Sequence, residues 1–540
     1  MTRRLPLFLF AALAAFAFSN SAAAQDSSSQ FRTSDRCANC HTNLKTADGK
    51  DASITNEWRA SVMANAARDP YWQGSVRREV LDHPEAGAAI QTECATCHMP
   101  LQHLQDKAQG HQTEVFKRLP LHAGLADDTA AADGVTCTVC HQIQPTGLGT
   151  PETYNGNFAV AAPSVTPRPV FGPFAPASDR ITKVHVLAAG YAPVESAHMR
   201  DAALCGSCHT LYTTSYGPGG KPNGRLPEQM TYLEWQHSDY HDKQTCQQCH
   251  MPAVDGQVAI ASLLSQPRDG VRHHSFVGAN FLMLGMLDAH HSDLAVTASS
   301  NELAAATAET TAFLQSKSAR VSVSPAQLTG TQISFAVKVE NLTGHKLPTA
   351  FPSRRAWLHV TVTAADGKVV FESGKLNADG SIAGNANDAD PTHFSPHYAS
   401  ITSASQVEIF EPILGDSQGH VTTGVLSATQ YLKDNRILPA GFDKKTASPD
   451  IAVYGKAAAD PDFAAGSSTT QFAVPTTGAT GPFRISAELE YQPIGYRWAH
   501  NLASYKADEA QSFVHDYEQA AAHSAVVLAH AQATSAAGKP

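Results

Sequence analysis

Five copies of one short pattern hold every cysteine of the chain. Each copy reads Cys-x-x-Cys-His, and none of the ten cysteines lies outside a copy. This spacing is the attachment signature of c-type haem. Two thiols three positions apart reach the two vinyl groups of one porphyrin, and the next imidazole lies under the iron as proximal ligand. The copies are Cys37, Cys40 and His41; Cys94, Cys97 and His98; Cys137, Cys140 and His141; Cys205, Cys208 and His209; Cys246, Cys249 and His250.

Three other kinds of cysteine chemistry fit the pattern less well. A disulfide framework has no use for a histidine after every second cysteine. Zinc ribbons use two Cys-x-x-Cys knuckles per metal ion, and five knuckles cannot be paired evenly. Thioredoxin-like motifs occur singly beside a βαβ pattern, which is not visible here. The sequence therefore predicts five covalently attached haems c, bound through the motif cysteines and the five proximal histidines.

The first 24 residues have the layout of a secretory signal peptide. Arg3 and Arg4 precede an apolar run from Leu5 to Phe18, and small residues end at Ala24. The run is shorter than the roughly 20 residues that span a bilayer, and no later segment approaches that length. We therefore expect cleavage after Ala24, a periplasmic or exported protein, and no membrane span in the mature chain.

Composition indicates a folded protein that does not bind nucleic acid. Apolar residues make up 42% of the 540-residue chain, which excludes a disordered tail. The 39 basic and 49 acidic residues give a net charge of −10, whereas a phosphate-binding surface needs a basic excess. A chain of this length is expected to form more than one domain.

The part of the chain that holds the motifs is rich in loops, with short helices between them. Asp69-Pro70 is typical of a helix start, and Trp72, Val76 and Val80 then recur every fourth residue. Pro227-Glu228 predicts a second start. Five prolines between residues 155 and 179 predict an irregular segment without helix or strand, wrapped around the haems. A helix from Asn301 to Gln315 is expected to lead out of a pentahaem cytochrome c domain over residues 25–318.

A β-sandwich-like domain is predicted for residues 319–500. Apolar side chains alternate with polar ones over several segments, which is typical of antiparallel strands with one buried face. These residues are Ile333, Phe335, Val337 and Val339; Leu358, Val360 and Val362; Val369 to Phe371; Ile485, Ala487, Leu489 and Tyr491. The alanine-rich residues 501–540 predict a C-terminal helix. The fold class expected is thus α+β and multidomain: a mainly helical haem domain, a β-sandwich and a helical tail.

Several phrases outside the motifs resemble those of a multihaem cytochrome c family related to tetrahaem electron acceptors. Family likeness implies haems in close-packed pairs, mostly bis-histidine ligation, and periplasmic or surface electron transfer. Where larger cytochromes of this group often have glycine after a Pro-Thr pair, this chain has Ala350. The phrases are Glu57 to Ala64, Gly134-Val135, Glu234-Trp235, His274 to Gly278, Gly344 to Thr349, and Pro352 to Arg355.

Distal iron ligands are available in excess, since 21 of the 26 histidines lie outside the motifs. By resemblance, His198 and His274 are the first candidates, followed by His185, His122, His237 and His345. For His345, a histidine that holds its loop against Arg354 or Arg355 is the alternative.

Met63 is a further candidate ligand. The related cytochromes often have a histidine at this place in the phrase Ser61 to Ala64. The other interpretation is a core methionine that packs against Trp58 on one helix, with Val62 four residues further along. Both interpretations stay open at the level of the sequence.

The predicted function is an electron relay between redox partners, such as other cytochromes or quinol-linked complexes. An alternative is an oxidoreductase that acts on a small nitrogen or sulfur oxyanion at an open haem site. Pentahaem nitrite reductases share the haem count, but their catalytic motif typically ends in lysine, and no Cys-x-x-Cys-Lys occurs here. The carrier is therefore favoured over the enzyme, and no catalytic residue is assigned.

The β-domain has no cofactor motif, so docking or packing is its expected role. The oligomeric state is not encoded in these patterns.

Overall fold

The computed structural model describes residues 31–122, 129–162, 164–476 and 478–535. The predicted signal peptide lies outside the described residues. Among the helices in the described ranges, none has the length and apolar character needed to cross a membrane.

Sixteen α-helices occur in the described residues, and most of them are short. They are α1 (Asp35–Ala38), α2 (Ile54–Arg59), α3 (Pro70–Asp82), α4 (Gly87–His98), α5 (Pro100–Ala108), α6 (Thr129–Ala132), α7 (Cys137–Cys140), α8 (Asp179–Ala189), α9 (Ala202–Gly206), α10 (Thr231–Gln236), α11 (Cys246–His250), α12 (Phe281–Ala289), α13 (Ser300–Lys317), α14 (Ala386–Ala389), α15 (Tyr496–His500) and α16 (Asp508–Ala520).

Eighteen strands occur in the same ranges, most of them after residue 318. They are β1 (Arg168–Gly172), β2 (Tyr191–Glu195), β3 (Leu211–Tyr216), β4 (Pro222–Gln229), β5 (Ala319–Val323), β6 (Gln327–Thr329), β7 (Gln332–Asn341), β8 (Arg355–Thr363), β9 (Val369–Ser373), β10 (Ser400–Ile401), β11 (Ile409–Phe410), β12 (Pro412–Asp416), β13 (Val421–Thr422), β14 (Ala428–Asp434), β15 (Phe463–Ala464), β16 (Ser467–Pro475), β17 (Arg484–Gln492) and β18 (Val526–Thr534).

The helices before residue 318 follow local capping signals. The Asp69 side chain accepts a hydrogen bond from the Trp72 amide at 3.0 Å, which confirms the predicted start of α3. Helix α13 begins with a capping box between Ser299 and Glu302. It spans the segment that the sequence assigned to a helix leading out of the haem region. The haem motifs lie on or next to α1, α4, α7, α9 and α11.

A β-sandwich forms the second half of the molecule, as the sequence predicted. One sheet has the order β10-β16-β7-β5, and the facing sheet has the order β11-β8-β17-β18. The alternating apolar residues of β7, β8 and β17 point into one shared core. Phe335 and Phe472 stack within it, with ring centres 5.0 Å apart. The mixed α+β fold class is therefore confirmed.

Several local predictions are wrong, each because distant pairing outweighs the local pattern. In residues 501–535 of the predicted helical tail, α16 is flanked by two short 3-10 helices, and β18 follows and pairs antiparallel with β17. The predicted helix start at Pro227-Glu228 is the end of strand β4. The proline-rich segment 155–179 contains strand β1, which pairs in parallel with β2. Helix α2 ends at Arg59, so Val62 and Met63 lie beyond the helix of Trp58.

Candidate haem site

All five motifs open into one internal cavity. Its lining includes the ten cysteines and the five motif histidines, and its volume is about 1560 Å³. The lining comes from loops and helices before residue 318 and from the edge of the β-sandwich. A chain that brings five such motifs to one shared space can hold several flat cofactors side by side.

The cysteine sulfurs of different motifs form one connected series. The Cys37 and Cys137 thiols shift each other's pKa, and so do those of Cys97 and Cys208. The Cys205 and Cys246 thiols do the same between the fourth motif and the fifth. The third and fourth motifs are linked as well, because Cys208 acts electrostatically on Cys140. No motif is therefore isolated from the others.

Most of these thiols are buried in a way that keeps them neutral. Burial raises the pKa of Cys140 to about 12. Reactive or catalytic cysteines need a lowered pKa and an electropositive setting. Thiol redox chemistry of the thioredoxin kind is thus disfavoured at Cys140, whereas covalent attachment to a cofactor leaves no thiol to ionise.

Four motif histidines are oriented by backbone carbonyl groups. A carbonyl oxygen can only accept, so Nδ1 carries the proton and Nε2 keeps its lone pair. This is the arrangement of a metal-ligating histidine, whose second nitrogen donates to a carbonyl or carboxylate. The Nδ1 to oxygen distances are 2.6 Å for His41 to Ile260, 3.0 Å for His98 to Ala66, 2.6 Å for His141 to Phe171 and 2.6 Å for His250 to Val277.

Burial also keeps the motif imidazoles neutral, which metal binding requires. It lowers the pKa of His98 to about 4 and that of His209 to about 4. The pKa of His41 is lowered as well, chiefly by burial and also by the nearby His185.

Three histidines outside the motifs line the cavity, and all three repeat the same arrangement. His185 Nδ1 lies 2.8 Å from the Tyr191 oxygen, and His274 Nδ1 lies 3.0 Å from the Arg272 oxygen. His345 Nδ1 lies 2.9 Å from the oxygen of the following residue. Each of these side chains therefore has an Nε2 lone pair for a ligand in the cavity.

His345 and the motif histidine His250 are neighbours with nearly parallel rings. Their ring centres are 6.3 Å apart, and the ring planes differ by 13°. Two imidazoles that bind one metal ion from opposite sides have centres about 6 Å apart, because a metal–imidazole bond is about 2 Å long. The spacing of the two rings thus fits bis-histidine ligation. Burial, the first cause, lowers the pKa of His345 to about 4.

His274 faces the first and third motifs. Its pKa falls to about 3, mainly through burial and then through the charges of His141 and His41. His185 acts on the same two histidines, and His198 acts on His141. Of these three candidates, His185 and His274 line the cavity at two neighbouring motifs.

The other three histidine candidates do not line the cavity. Both ring nitrogens of His198 are engaged, Nδ1 with the Ser196 hydroxyl at 2.6 Å and Nε2 with the Ile143 oxygen at 2.8 Å. His237 Nε2 lies 3.0 Å from the Asp443 oxygen. His122 is exposed at the surface of the described chain. In this arrangement none of the three presents a nitrogen to the cavity.

Three methionines, Met63, Met199 and Met251, complete the ligand-capable lining. Met63 lines the cavity, and its interpretation as an iron ligand requires this position. It lies beyond the end of α2. Met199 also lines it. Met199 was not predicted as a ligand, because its position next to His198 is the only sign of that role in the sequence. Together with His185, His274 and His345, the three methionines give six candidate ligands for five irons.

The cavity wall also carries buried polar groups that lack a partner within the described protein. They include the Tyr491 hydroxyl and the Arg268 Nε group. An unpaired buried polar group costs free energy, so such groups in a cavity wall mark contacts with something that fills it. The haem has carboxylate side chains, which suit both donors. The lining therefore fits a set of haems.

The comparison with solved structures agrees with this fit. The crystal structure of a penta-heme cytochrome c552 from Thermochromatium tepidum has a TM-score of 0.50 and 17% sequence identity to this chain. The match covers 93% of this chain and 98% of that one. The chain has the fold of a multihaem cytochrome c. No protein-family model and no curated protein matches it.

Proposed function

We propose that this chain binds five haems c covalently and relays electrons between redox proteins. The observation that carries the proposal is the single cavity shared by all five Cys-x-x-Cys-His motifs, with their sulfurs in one connected series. Bound haem supplies one-electron chemistry at iron. The likeness to a penta-heme cytochrome structure supports the same conclusion.

The side chains of this protein would hold and tune that chemistry. The motif cysteines would carry the thioether links, and the motif histidines would be the proximal ligands. His345 is proposed as the ligand opposite His250, because the two ring centres lie 6.3 Å apart, the spacing of bis-histidine ligation. His185 and His274 are proposed for the first and third motifs, whose histidines they approach. The methionines Met63, Met199 and Met251 then remain as candidates for His98 and His209.

A carrier is proposed in preference to an enzyme because the cavity lining offers a candidate second ligand for every motif, with six such side chains for five irons. Irons with two protein ligands bind no substrate. The partners would be other redox proteins, such as cytochromes or quinol-linked complexes. The export signal predicted for residues 1–24 supports a periplasmic or exported location. The β-domain is proposed to pack or dock, because no motif lies within it.

A reductive titration of the mature protein tests the relay. We expect five electrons per chain, and ferric spectra that are low-spin throughout. A Cys137→Ser, Cys140→Ser double variant should take four electrons, because the third haem lacks its attachment sites. His198→Gln is the matched control, and it should leave the electron count unchanged. A persistent high-spin ferric fraction in the unmodified protein would instead indicate an open iron and favour the oxidoreductase alternative.

A further inference from the structure

A histidine surrounded by carboxylates lies on the outer face of the sheet β11-β8-β17-β18, outside the lining of the haem cavity. His359 of β8 is paired directly with Glu488 of β17. Glu490 lies two residues further along β17, and side chains two apart share a face of a strand. Glu372 on β9 approaches from the other side. Three neighbouring strands thus bring one imidazole and three carboxylates together.

The two ring nitrogens of His359 contact different numbers of carboxylates. Its Nε2 lies 3.2 Å from Glu372 Oε1. Its Nδ1 lies 3.0 Å from Glu490 Oε1 and 3.5 Å from Glu488 Oε2. A neutral imidazole can donate from only one nitrogen. If Nε2–H donates to Glu372, a lone pair on Nδ1 faces two carboxylates, and either a second proton on the ring or a cation satisfies the contact.

A second proton on His359 is the other way to satisfy these contacts, and the hydrogen bond with Glu490 raises the pKa of His359 against the effect of burial. A metal ion on Nδ1 would displace that proton. Lys375 lies 3.9 Å from Glu372 and is the nearby cation. A protonated His359 together with Lys375 would leave one of the three carboxylates without a counter-charge. A divalent cation together with Lys375 balances all three.

We propose that His359, Glu488 and Glu490 bind a divalent transition-metal ion, with Glu372 as the positioning residue that orients His359. The ligand atoms of these three residues lie within 4.8 Å of one another. Metal bonds of about 2 Å place neighbouring ligand atoms roughly 3 to 3.5 Å apart, which matches the Nδ1 to carboxylate distances. A metal-binding histidine is usually oriented by a carboxylate that accepts a hydrogen bond from its second ring nitrogen.

The donor set selects the class of metal. Imidazole with carboxylates suits Zn²⁺, Mn²⁺ or Fe²⁺, whereas Mg²⁺ and Ca²⁺ prefer all-oxygen sites. The ion would be reached from solvent, because the Glu488 side chain is 36% exposed, while Glu490 at 11% lies deeper. Bound there, it would tie β8 to β17.

Zinc binding to the haem-loaded protein tests the proposal. The protein is stripped with chelator and titrated with Zn²⁺ by calorimetry, and bound zinc is counted by elemental analysis. We expect His359→Ala and Glu488→Gln each to bind one equivalent less than the unmodified protein. Glu372→Gln should keep the equivalent but weaken it about 10- to 100-fold.

His420→Ala is the matched control, since His420 is an exposed histidine 3.2 Å from Asp416 on the same domain. This variant should bind as many equivalents as the unmodified protein. Zinc X-ray absorption should show one imidazole and oxygen ligands, and it reports separately from haem iron. Equal zinc counts for the unmodified protein and for His359→Ala or Glu488→Gln would overturn the proposal, and His359 would then be a protonated partner of its carboxylates. Glu488→Gln removes only a charge from an exposed side chain, so its result does not depend on refolding.

Discussion

Backbone carbonyls decide which histidines can reach the cavity. The same Nδ1-to-carbonyl contact occurs at motif residues such as His250 and at the non-motif residues His274 and His345. His198 differs because both of its nitrogens are already hydrogen-bonded. A single sequence shows which residues can bind iron, but these contacts depend on the folded backbone, whether the carbonyl is distant, as for His250, or adjacent, as for His345.

His274→Ala should convert one low-spin ferric haem to high-spin, because the cavity loses one of its three non-motif histidines. Electron paramagnetic resonance and the visible spectrum of the mature protein measure this change. His198→Gln should leave both spectra unaltered. If His274→Ala also leaves the spin state unaltered, His274 only packs in the cavity.

Met63→His should lower the potential of one haem, because thioether ligation raises the potential relative to bis-histidine ligation. The weak sulfur-to-iron band at the red end of the ferric visible spectrum should also lose the part that Met63 contributes. Met63→Leu should weaken this band to the same extent. Unchanged potentials and an unchanged band in Met63→Leu would show that Met63 fills space in the cavity wall.

Individual helices and strands were predictable where short-range signals determine them. Asp69 and Pro70 marked the start of α3, and alternating residues marked β7, β8 and β17. Strand β18 was missed because its alanine-rich sequence favours a helix, while its pairing with β17 is a long-range interaction. The motif residues were likewise evident from spacing. The distal candidates rested on resemblance, since their geometry comes from tertiary packing.

Helix α3 carries a buried carboxyl that should make stability depend on pH. Glu79 accepts a hydrogen bond from the Val425 amide at 2.9 Å, and burial raises its pKa to about 7. Between pH 4.5 and 7 the unfolded chain loses this proton while the folded chain keeps it. The contribution of Glu79 to the free energy of unfolding therefore falls as pH rises through this window, by about 3 kcal/mol at most.

Glu79→Gln should remove that decline, because glutamine keeps an acceptor for Val425 without a titrating proton. Denaturant unfolding at several pH values measures the difference between the variant and the unmodified protein. Glu114→Gln, an exposed carboxylate that contacts Lys117, is the control. Parallel pH profiles for Glu79→Gln and the unmodified protein would refute the assignment.

The haem-binding half and the β-sandwich are joined by buried charges. Glu234 of α10 lies 3.0 Å from Arg436, and its other oxygen accepts from the Thr349 hydroxyl at 2.6 Å. Asp434 contacts both Arg436 at 2.8 Å and Lys346 at 2.6 Å. The Gly344 to Thr349 phrase thus serves the contact between the two halves as well as presenting His345 to the cavity.

Glu234→Ala should destabilise the protein by about 3 kcal/mol or more, because it deprives the buried Arg436 of one of its two carboxylates. Glu340→Ala is the control, since Glu340 pairs with an Arg320 side chain that is 66% exposed, and its loss should cost less than about 1 kcal/mol. Denaturant unfolding of the haem-loaded protein measures both changes. Equal effects for the two variants would contradict a structural role for the buried network.

The whole molecule is explained as a scaffold that gathers five attachment motifs around one cavity. Intact mass spectrometry of the mature protein, with a pyridine haemochrome assay on the same sample, tests this claim most directly. We expect the mass of the chain plus five haems, with every cysteine in thioether linkage. Four or fewer haems in protein matured by a host with haem-attachment machinery, or free thiols in any motif, would contradict the account.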